Sequence, residues 1–391
     1  MIELRTAGRP PNARRVLFVM AQAQRRGAEL DCQETAEALL ARGFDVDIAA
    51  LSPSATACEL AVDVLGPPSL PSSRTGAVNT TWQRWLALRA RSRDCALVVA
   101  YGSTTLPACA LGLAGTRTPF IYRSIGDPRA WVRGRAHRAR TAIMLRRAAA
   151  VVCLWDGATQ SMHDLYGVAR DRLLVIPTGR DPTRLRPPTG TQRADARRFF
   201  GVADDALVLA VVGAIAPEKR VDLALLAAAE VGHCTVLVAG DGPERRTLEK
   251  LAGQLHTIDV RFLGLLRDVI PVFHAADLVV LASRTEGLPG VVIEAALCGV
   301  ATITTNVGGV GELIDAPNTG IIVEAIDNDP ARQTALLAEG LRRATSQHRY
   351  LGANARRFVE PRFAATVVVD GWVEVLRGFG ITPDAPMTPT P

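Results

Sequence analysis

The chain has 391 residues, enough for two or three domains, and its 48% apolar and 21% charged residues exclude a chain that is disordered over its bulk. No run reaches the roughly 18 uninterrupted apolar residues that a membrane-spanning helix needs. The net charge of +6 hides an asymmetry: residues 1–200 carry 29 arginines against 16 acids, whereas residues 201–391 carry 16 bases against 23 acids.

Residues 1–14 are polar, contain Pro10 and Pro11, and read as a disordered lead-in without a signal-peptide core. Residues 16–21 form a continuous apolar run, the mark of a strand buried on both faces. The polar loop 22–27 leads into a helix that stops at Gly43, residues 46–51 form the next strand, and a Pro/Ser-rich loop covers 52–75. Further strands are predicted at 96–100, 120–122, 150–154 and 173–176, with helical patterns between them.

Between residues 117 and 147 nine arginines face one acid, Asp127. Such a run predicts a first domain that meets something anionic: a phosphorylated acceptor, an acidic membrane surface touched peripherally, or nucleic acid. A solvated helix face is the plainer alternative. Nucleic acid is the weakest candidate, because no such motif is present and 5% aromatic residues leave few stacking platforms. Arg133, Arg135, Arg138 and Arg140 near Trp131 are spaced to form one face of an interfacial helix.

After a Pro/Arg-rich stretch, 181–193, the pattern restarts. Strands are predicted at 207–212, 235–239, 260–263, 278–282, 301–304 and 321–323, with helices at about 221–230, 243–256, 290–298 and 329–343. Two helical segments, about 347–359 and 363–376, end the fold, and a Pro/Thr tail over 380–391 is expected to be disordered. The fold class is α/β: two doubly wound, Rossmann-like domains with parallel sheets and a cleft between them, the boundary in the 181–193 linker. Ligands of such sheets bind beyond the carboxyl ends of the strands. Seven scattered cysteines without a Cys-x-x-Cys argue against a disulfide framework or a zinc site and for a cytoplasmic location.

Familiar nucleotide motifs are absent. No G-x-G-x-x-G follows a strand, and the loop from Val212 to Lys219 lacks Gly-Lys-Ser/Thr. Of 45 basic residues 43 are arginine, yet Lys219 stands at the first turn of the helix after a strand. A compact ammonium beside exposed helix N–H groups suits a phosphate, with a solvated surface lysine as the alternative. In Ser283-Arg-Thr-Glu-Gly-Leu-Pro-Gly-Val-Val-Ile-Glu294, Glu286 and Glu294 stand eight positions apart. Gly287 and Gly290 let a ligand approach the backbone, and Glu286 is suited to accept hydrogen bonds from sugar hydroxyls. Glu294 lies in an apolar helix, where an unpaired carboxylate is costly, and is suited to both hydroxyls of a ribose. Asp45-x-Asp47 and Asp327-x-Asp329 look like metal motifs, but one flanks a strand and the other caps a helix, so both are read as structural.

Five pieces, in order and spacing, carry a resemblance: Val212-Gly213 through Pro217-Glu218-Lys219, Ala239-Gly240-Asp241-Gly242-Pro243-Glu244, Phe262-Leu263-Gly264, Glu286-x7-Glu294, and Asn306-Val-Gly-Gly-Val-Gly-Glu-Leu-Ile314. Together they resemble the donor domain of family 4 retaining glycosyltransferases (glycosyl transferases group 1), which have the GT-B fold. Arg26-Gly27-Ala28-Glu29 is similar to the glycine loop after the first strand, and Val175-Ile-Pro-Thr-Gly-Arg-Asp181 to the interdomain segment. The similarity spans most of residues 15–378.

The resemblance implies an acceptor-side domain over 15–190, a nucleotide-sugar donor domain over 194–360, and a C-terminal helix at about 362–378 that packs back onto the first. It implies transfer of a hexose from a nucleotide-diphosphate sugar with retention at the anomeric carbon and no metal or other cofactor. Carried over, Lys219 binds the donor diphosphate, Glu294 the ribose, and Glu286 the sugar together with Gly287, Leu288, Pro289 and Gly290. Gly213, Gly240, Asp241, Gly242 and, from the first domain, Gly27 border the donor.

Two departures stand out. The family usually has an arginine just after Gly213; here Ala214 stands there, and Arg220 is the expected substitute. Many relatives also place a histidine in the first domain near the reacting centre, whereas all six histidines here follow residue 136. Asp127 is the best replacement for contacting an acceptor hydroxyl, a turn role in Gly-Asp-Pro being its plain reading. A same-face reaction, in which the departing phosphate oxygen takes the acceptor proton, needs no side-chain base. A nucleotide-sugar epimerase on the same fold and a non-catalytic binding or scaffold protein remain as alternatives.

Overall fold

Strands without polar alternation persist only between two layers of helix, and both halves of the chain use them that way. The computed structural model describes residues 14–24, 27–53, 60–65, 74–132 and 134–383. The expected lead-in up to residue 13, much of the 52–75 loop, Arg26, Arg133 and the tail from 384 lie outside the described residues. The chain divides into two units, residues 1–179 with 365–391, and residues 180–364.

Unit 1 contains β1 (Arg15–Met20), α1 (Gly27–Ala41), β2 (Val46–Ala50), β3 (Asp63–Val64), α2 (Arg74–Arg91), β4 (Cys95–Tyr101) and α3 (Thr105–Gly112). It continues with β5 (Phe120–Arg123), α4 (Arg135–Arg147), β6 (Ala150–Cys153), α5 (Asp156–Tyr166) and β7 (Leu173–Val175). Its seven strands form one parallel sheet in the order β3-β2-β1-β4-β5-β6-β7.

Unit 2 contains α6 (Gly190–Phe199), β8 (Leu207–Val212), α7 (Val221–Val231), β9 (Cys234–Ala239), α8 (Arg245–Ala252), β10 (Ile258–Gly264) and α9 (Ile270–Ala275). It continues with β11 (Leu278–Leu281), α10 (Gly290–Leu297), β12 (Ala301–Thr305), α11 (Val310–Leu313), β13 (Gly320–Val323), α12 (Pro330–Thr345) and α13 (His348–Phe363). Six parallel strands run in the order β10-β9-β8-β11-β12-β13, so the direction of winding reverses between β8 and β11. The last helix, α14 (Ala365–Gly378), returns to unit 1 and packs on α1, where the fully buried Trp372 sits against Phe18 and Tyr101.

Asp277, just before β11, holds the amino-terminal side of the unit 2 sheet. Its carboxylate accepts hydrogen bonds from Arg193, from Arg197 Nη2 at 2.9 Å and from Val208 N–H at 2.8 Å, with His348 Nε2 at 3.4 Å. One buried acid thereby ties α6, β8, β11 and the start of α13 together, and a buried carboxylate so fully paired does not carry the desolvation cost of a lone one.

Several expectations need correction. The 181–193 stretch is not a free linker: Thr189 and Gln192 form a capping box that starts α6, Leu185 is buried, and the division between the units falls after Gly179. The final helix begins at Ala365, not about 362, because residues up to Phe363 belong to α13. The tail does not begin at 380, since Ile381 is buried and its N–H bonds to Leu376 O at 2.9 Å. β3 and α2 were unexpected. The first turns of α2 read Arg-Thr-Gly-Ala-Val-Asn-Thr-Thr, residues of low helix propensity that conceal the helix.

The arginine-rich stretch is also not one surface. Arg123 is fully buried at the end of β5, where it faces Asp31, donates to the carbonyls of Ile176 and Pro177, and lies 5.5 Å from the Trp372 ring. Trp131 is not on the α4 face. It belongs to the 3-10 turn Pro128–Trp131 and packs against Tyr122 and Tyr166. Arg135, Arg138, Arg140, Arg146 and Arg147 of α4 are exposed.

Candidate active site

The reversal between β8 and β11 opens a crevice at the carboxyl ends of the strands, the place where open parallel sheets bind ligands. A small cleft there is lined by Gly213, Ala214, Lys219, Val221, Leu281 and Ala282. The loops around it are locked together by glycines. Val212 pairs with Ala239, so Gly213 and Gly240 emerge side by side. Gly240 has φ +147°, and a Cβ there would lie 1.8 Å from Gly213 O; one on Gly242 would lie 2.2 Å from Ile215 O. No side chain fits between backbones this close. Hydrogen bonds from Gly213 N–H to Ala239 O (2.9 Å), Ile215 N–H to Asp241 O (3.0 Å) and Gly240 N–H to Gly264 O (2.8 Å) complete the lock. Asp241 is exposed and its Oδ1 accepts from Gly242 N–H at 2.7 Å.

On the β8 side, the 3-10 turn Pro217–Lys219 presents the lysine, and Glu218 O accepts the N–H of Arg284 at 2.7 Å, which fastens this turn to the loop after β11. Lys219 Nζ lies 2.7 Å from Glu286 Oε1, and the same oxygen accepts the Ser283 hydroxyl at 2.6 Å. Ser283 is itself buried, and its carbonyl accepts the Thr305 hydroxyl at 2.6 Å. The Glu286 backbone is fixed from β12's side as well. Gly309 N–H donates to Gly287 O at 2.8 Å, and a Cβ on Gly308 (φ +57°) would lie 2.4 Å from the carbonyls of Glu286 and Gly287.

Glu294 lies one turn into α10, with Arg180 Nε 2.7 Å from its Oε1. Leu288 and Pro289 are buried, so their side chains serve the core; Pro289 caps α10 and has no N–H to offer a ligand. Gly290 is the first helical residue, where backbone N–H groups lack intrahelical partners.

Other expected residues sit differently. Arg220, with φ +46°, is turned onto Asp222, its Nε 3.2 Å from Oδ1, so its guanidinium is paired beside its own helix. In unit 1, Asp127 caps the turn Pro128–Trp131: Oδ1 accepts Arg129 N–H at 2.9 Å, and Arg129 Nη2 reaches Oδ2 at 2.7 Å. Its contacts are those of the Gly-Asp-Pro turn residue, with the carboxylate taken up locally. Gly27 is the first residue of α1, and a Cβ there would meet no atom of the described residues within 4 Å. Asp45 pairs with Arg15, Asp47 with Arg91 and Asp327 with Arg284, while Asp329 caps α12, so both Asp-x-Asp pairs are engaged in structural contacts. Two residues were missed. Ser283 opens the segment that carries Glu286 and bonds to it three residues on, whereas Arg180 lies in the interdomain motif, where no local pattern announces a carboxylate partner 114 positions away.

Comparison with known proteins agrees with this architecture. Residues 192–358 match the family described as Glycosyl transferases group 1, and residues 25–184 match Glycosyltransferase Family 4. A D-inositol 3-phosphate glycosyltransferase of Geodermatophilus obscurus is 36% identical over 52% of this chain and 46% of its own length. The alpha-D-kanosaminyltransferase of Streptomyces kanamyceticus is 30% identical over 61% of this chain and 62% of its own. The matched segments thus span about half to three-fifths of these curated relatives. Among solved structures, Anabaena HepE in complex with UDP-glucose superposes with a TM-score of 0.76 at 18% identity, covering 93% of this chain and 99% of that one. WaaG, a glycosyltransferase involved in lipopolysaccharide biosynthesis, gives 0.72 at 19% identity over 93% and 100%. With both halves matched in order and two parallel, Rossmann-like sheets in place, the chain belongs to the family 4 glycosyltransferases of the GT-B fold.

Proposed function

We propose that this protein transfers a hexose from a nucleotide-diphosphate sugar to an acceptor, with retention at the anomeric carbon and without a metal ion. The observation that carries the reading is the Lys219–Glu286 pair at the switch point, with Glu286 on the loop that leads into the helix of Glu294. UDP and UDP-glucose in the HepE structures support a nucleotide-sugar donor. Lys219 and the N–H groups at the start of α10 stabilise the diphosphate as the glycosidic bond breaks, in the way preorganised donors act where charge develops. Lys219 holds Oε1 of Glu286, which leaves Oε2 to take a sugar hydroxyl. Glu294 takes the ribose, and Gly213, Gly240 and Gly242 let the nucleotide lie against the backbone. The leaving phosphate oxygen accepts the acceptor's proton.

The exposed arginines of α4 support an acceptor that carries negative charge, and peripheral contact with the inner face of an anionic membrane belongs to the same reading. Sedimentation with anionic and with neutral vesicles tests that part separately.

The central experiment is a thermal-shift screen of nucleotide diphosphates and their sugars, followed by donor hydrolysis and NMR of the product anomer with and without EDTA. Stabilisation by one nucleotide series, EDTA-insensitive turnover and a retained anomeric configuration are expected. Full activity in both Glu286→Gln and Glu294→Gln overturns the assignment. Isomerised donor without an acceptor identifies an epimerase, and nucleotide binding with no turnover identifies a binding protein.

A further inference from the structure

One buried cation lies against the donor side of the site without a role in the reaction just described. Arg180 is the first residue of unit 2, and its backbone is held there by an N–H bond to Phe363 O at 2.9 Å and a bridge to Ala364. Its side chain is 5% exposed, and Nε donates to Glu294 Oε1 at 2.7 Å. The guanidinium fits because position 290 is glycine: a Cβ there would lie 2.6 Å from Arg180 Nη2 and 3.6 Å from Glu294 Oε1.

The placement is costly by itself. The start of α10 already carries the positive end of the helix dipole, and a guanidinium packed on its first residue adds like charge. Stability alone is served equally well by an apolar side chain over an ordinary residue at 290, with no buried charge to desolvate. What the arrangement provides is a fixed carboxylate. A glutamate on a helix surface samples several rotamers, and binding through it then costs ordering entropy; with Oε1 already held, that entropy is lost on folding and not on binding.

We infer that Arg180 is a positioning residue for the donor: it locks Glu294 in one rotamer, so that Oε2 meets the vicinal hydroxyls of the nucleotide's ribose. Gly290 is the space that makes the lock possible. This rests on the reading that Glu294 takes the ribose.

The test is calorimetric binding of UDP and GDP, each beside its 2′-deoxy form, to the full-length protein. The wild type is expected to prefer the ribo form of its nucleotide by about tenfold or more, the range of a charge-assisted hydrogen bond. Arg180→Met should bring the ribo/deoxy ratio close to one by weakening the ribo form alone, Gly290→Ala should lower the same ratio whatever it does to the diphosphate contact common to both forms, and Arg180→Lys should restore part of it. A structural role without positioning weakens both forms equally. If Glu294→Gln loses the preference while Arg180→Met and Gly290→Ala keep it, the inference is overturned and the ribose assignment stands. If Glu294→Gln keeps it, the ribose assignment itself fails. Melting temperatures accompany each variant; if Arg180→Met does not fold, Arg180→Lys and Gly290→Ala carry the comparison.

Discussion

Lys219 Nζ and Glu286 Oε1 lie 2.7 Å apart although 67 positions separate them in the chain. Neither is on a regular strand. Each is delivered by the loop after one of the two strands, β8 and β11, between which the sheet changes its direction of winding. The pair is therefore a product of topology, and its partners are coupled.

Lys219→Met is expected to lower stability by about 1–3 kcal/mol, because the Glu286 carboxylate loses a charge-assisted partner in a nearly buried position. Adding Glu286→Gln should recover part of that loss, with a coupling of about 0.5 kcal/mol or more in urea titrations. On the proposed reaction, each single variant should cut kcat by about a hundredfold or more. Additive effects on stability would show that the two groups do not meet in solution.

The glycines separate into two classes. Gly240→Ala and Gly242→Ala place a Cβ within 2.2 Å or less of a carbonyl oxygen, so either should destabilise the protein by about 2 kcal/mol or more and weaken nucleotide binding. Gly27→Ala and Gly311→Ala meet no heavy atom of the described residues within 4 Å and should fold normally, stabilised if anything by about 0.5–1 kcal/mol where they are helical. Any change in donor affinity in Gly27→Ala then reports a ligand contact, free of a folding defect. Melting curves and calorimetry check both halves.

His274 gives a pH dependence with a defined sign. Burial disfavours its imidazolium and holds its pKa below the ordinary 6.5, against the opposing hydrogen bond to Arg186 O. The unfolded state therefore binds the proton more readily. The stability this group contributes is fully present above pH 6.5 and is lost as pH falls from there through the lowered folded value. Relative to His274→Gln, the wild type should lose melting temperature on acidification through that window. Parallel curves would remove His274 from the account.

Arg123 and Asp31 form a buried pair at 3.5 Å, with side chains 0% and 4% exposed. Arg123→Met should cost about 3–5 kcal/mol by leaving a carboxylate in the core without its cation, and Arg123→Met with Asp31→Leu should be milder than Arg123→Met alone. Denaturant midpoints of the two variants decide it.

Most strands were legible from sequence because buried parallel strands read as unbroken apolar runs: residues 207–212 were expected and Leu207–Val212 is observed. The glycine-punctuated loops were legible too, since few residues but glycine tolerate the close approach at 240 and 242. What stayed hidden was pairing over long sequence distance. Nothing near Arg123 separates a core cation facing Asp31, 92 positions away, from its exposed neighbours on α4, and Arg180 reaches Glu294 across 114 positions. Charge counts register such residues; only the folded chain distributes them.

Asp277 gathers its four partners at one end of the unit 2 sheet, while β11, which it precedes, runs to the loop carrying Glu286 at the other. Cohesion and the proposed donor site thus occupy opposite poles of the same strands. Substitutions at Glu286 therefore leave the Asp277 anchorage in place, whereas a change to the whole Ser283–Glu294 segment has to keep its ties to Glu218, Thr305, Gly309 and Arg180.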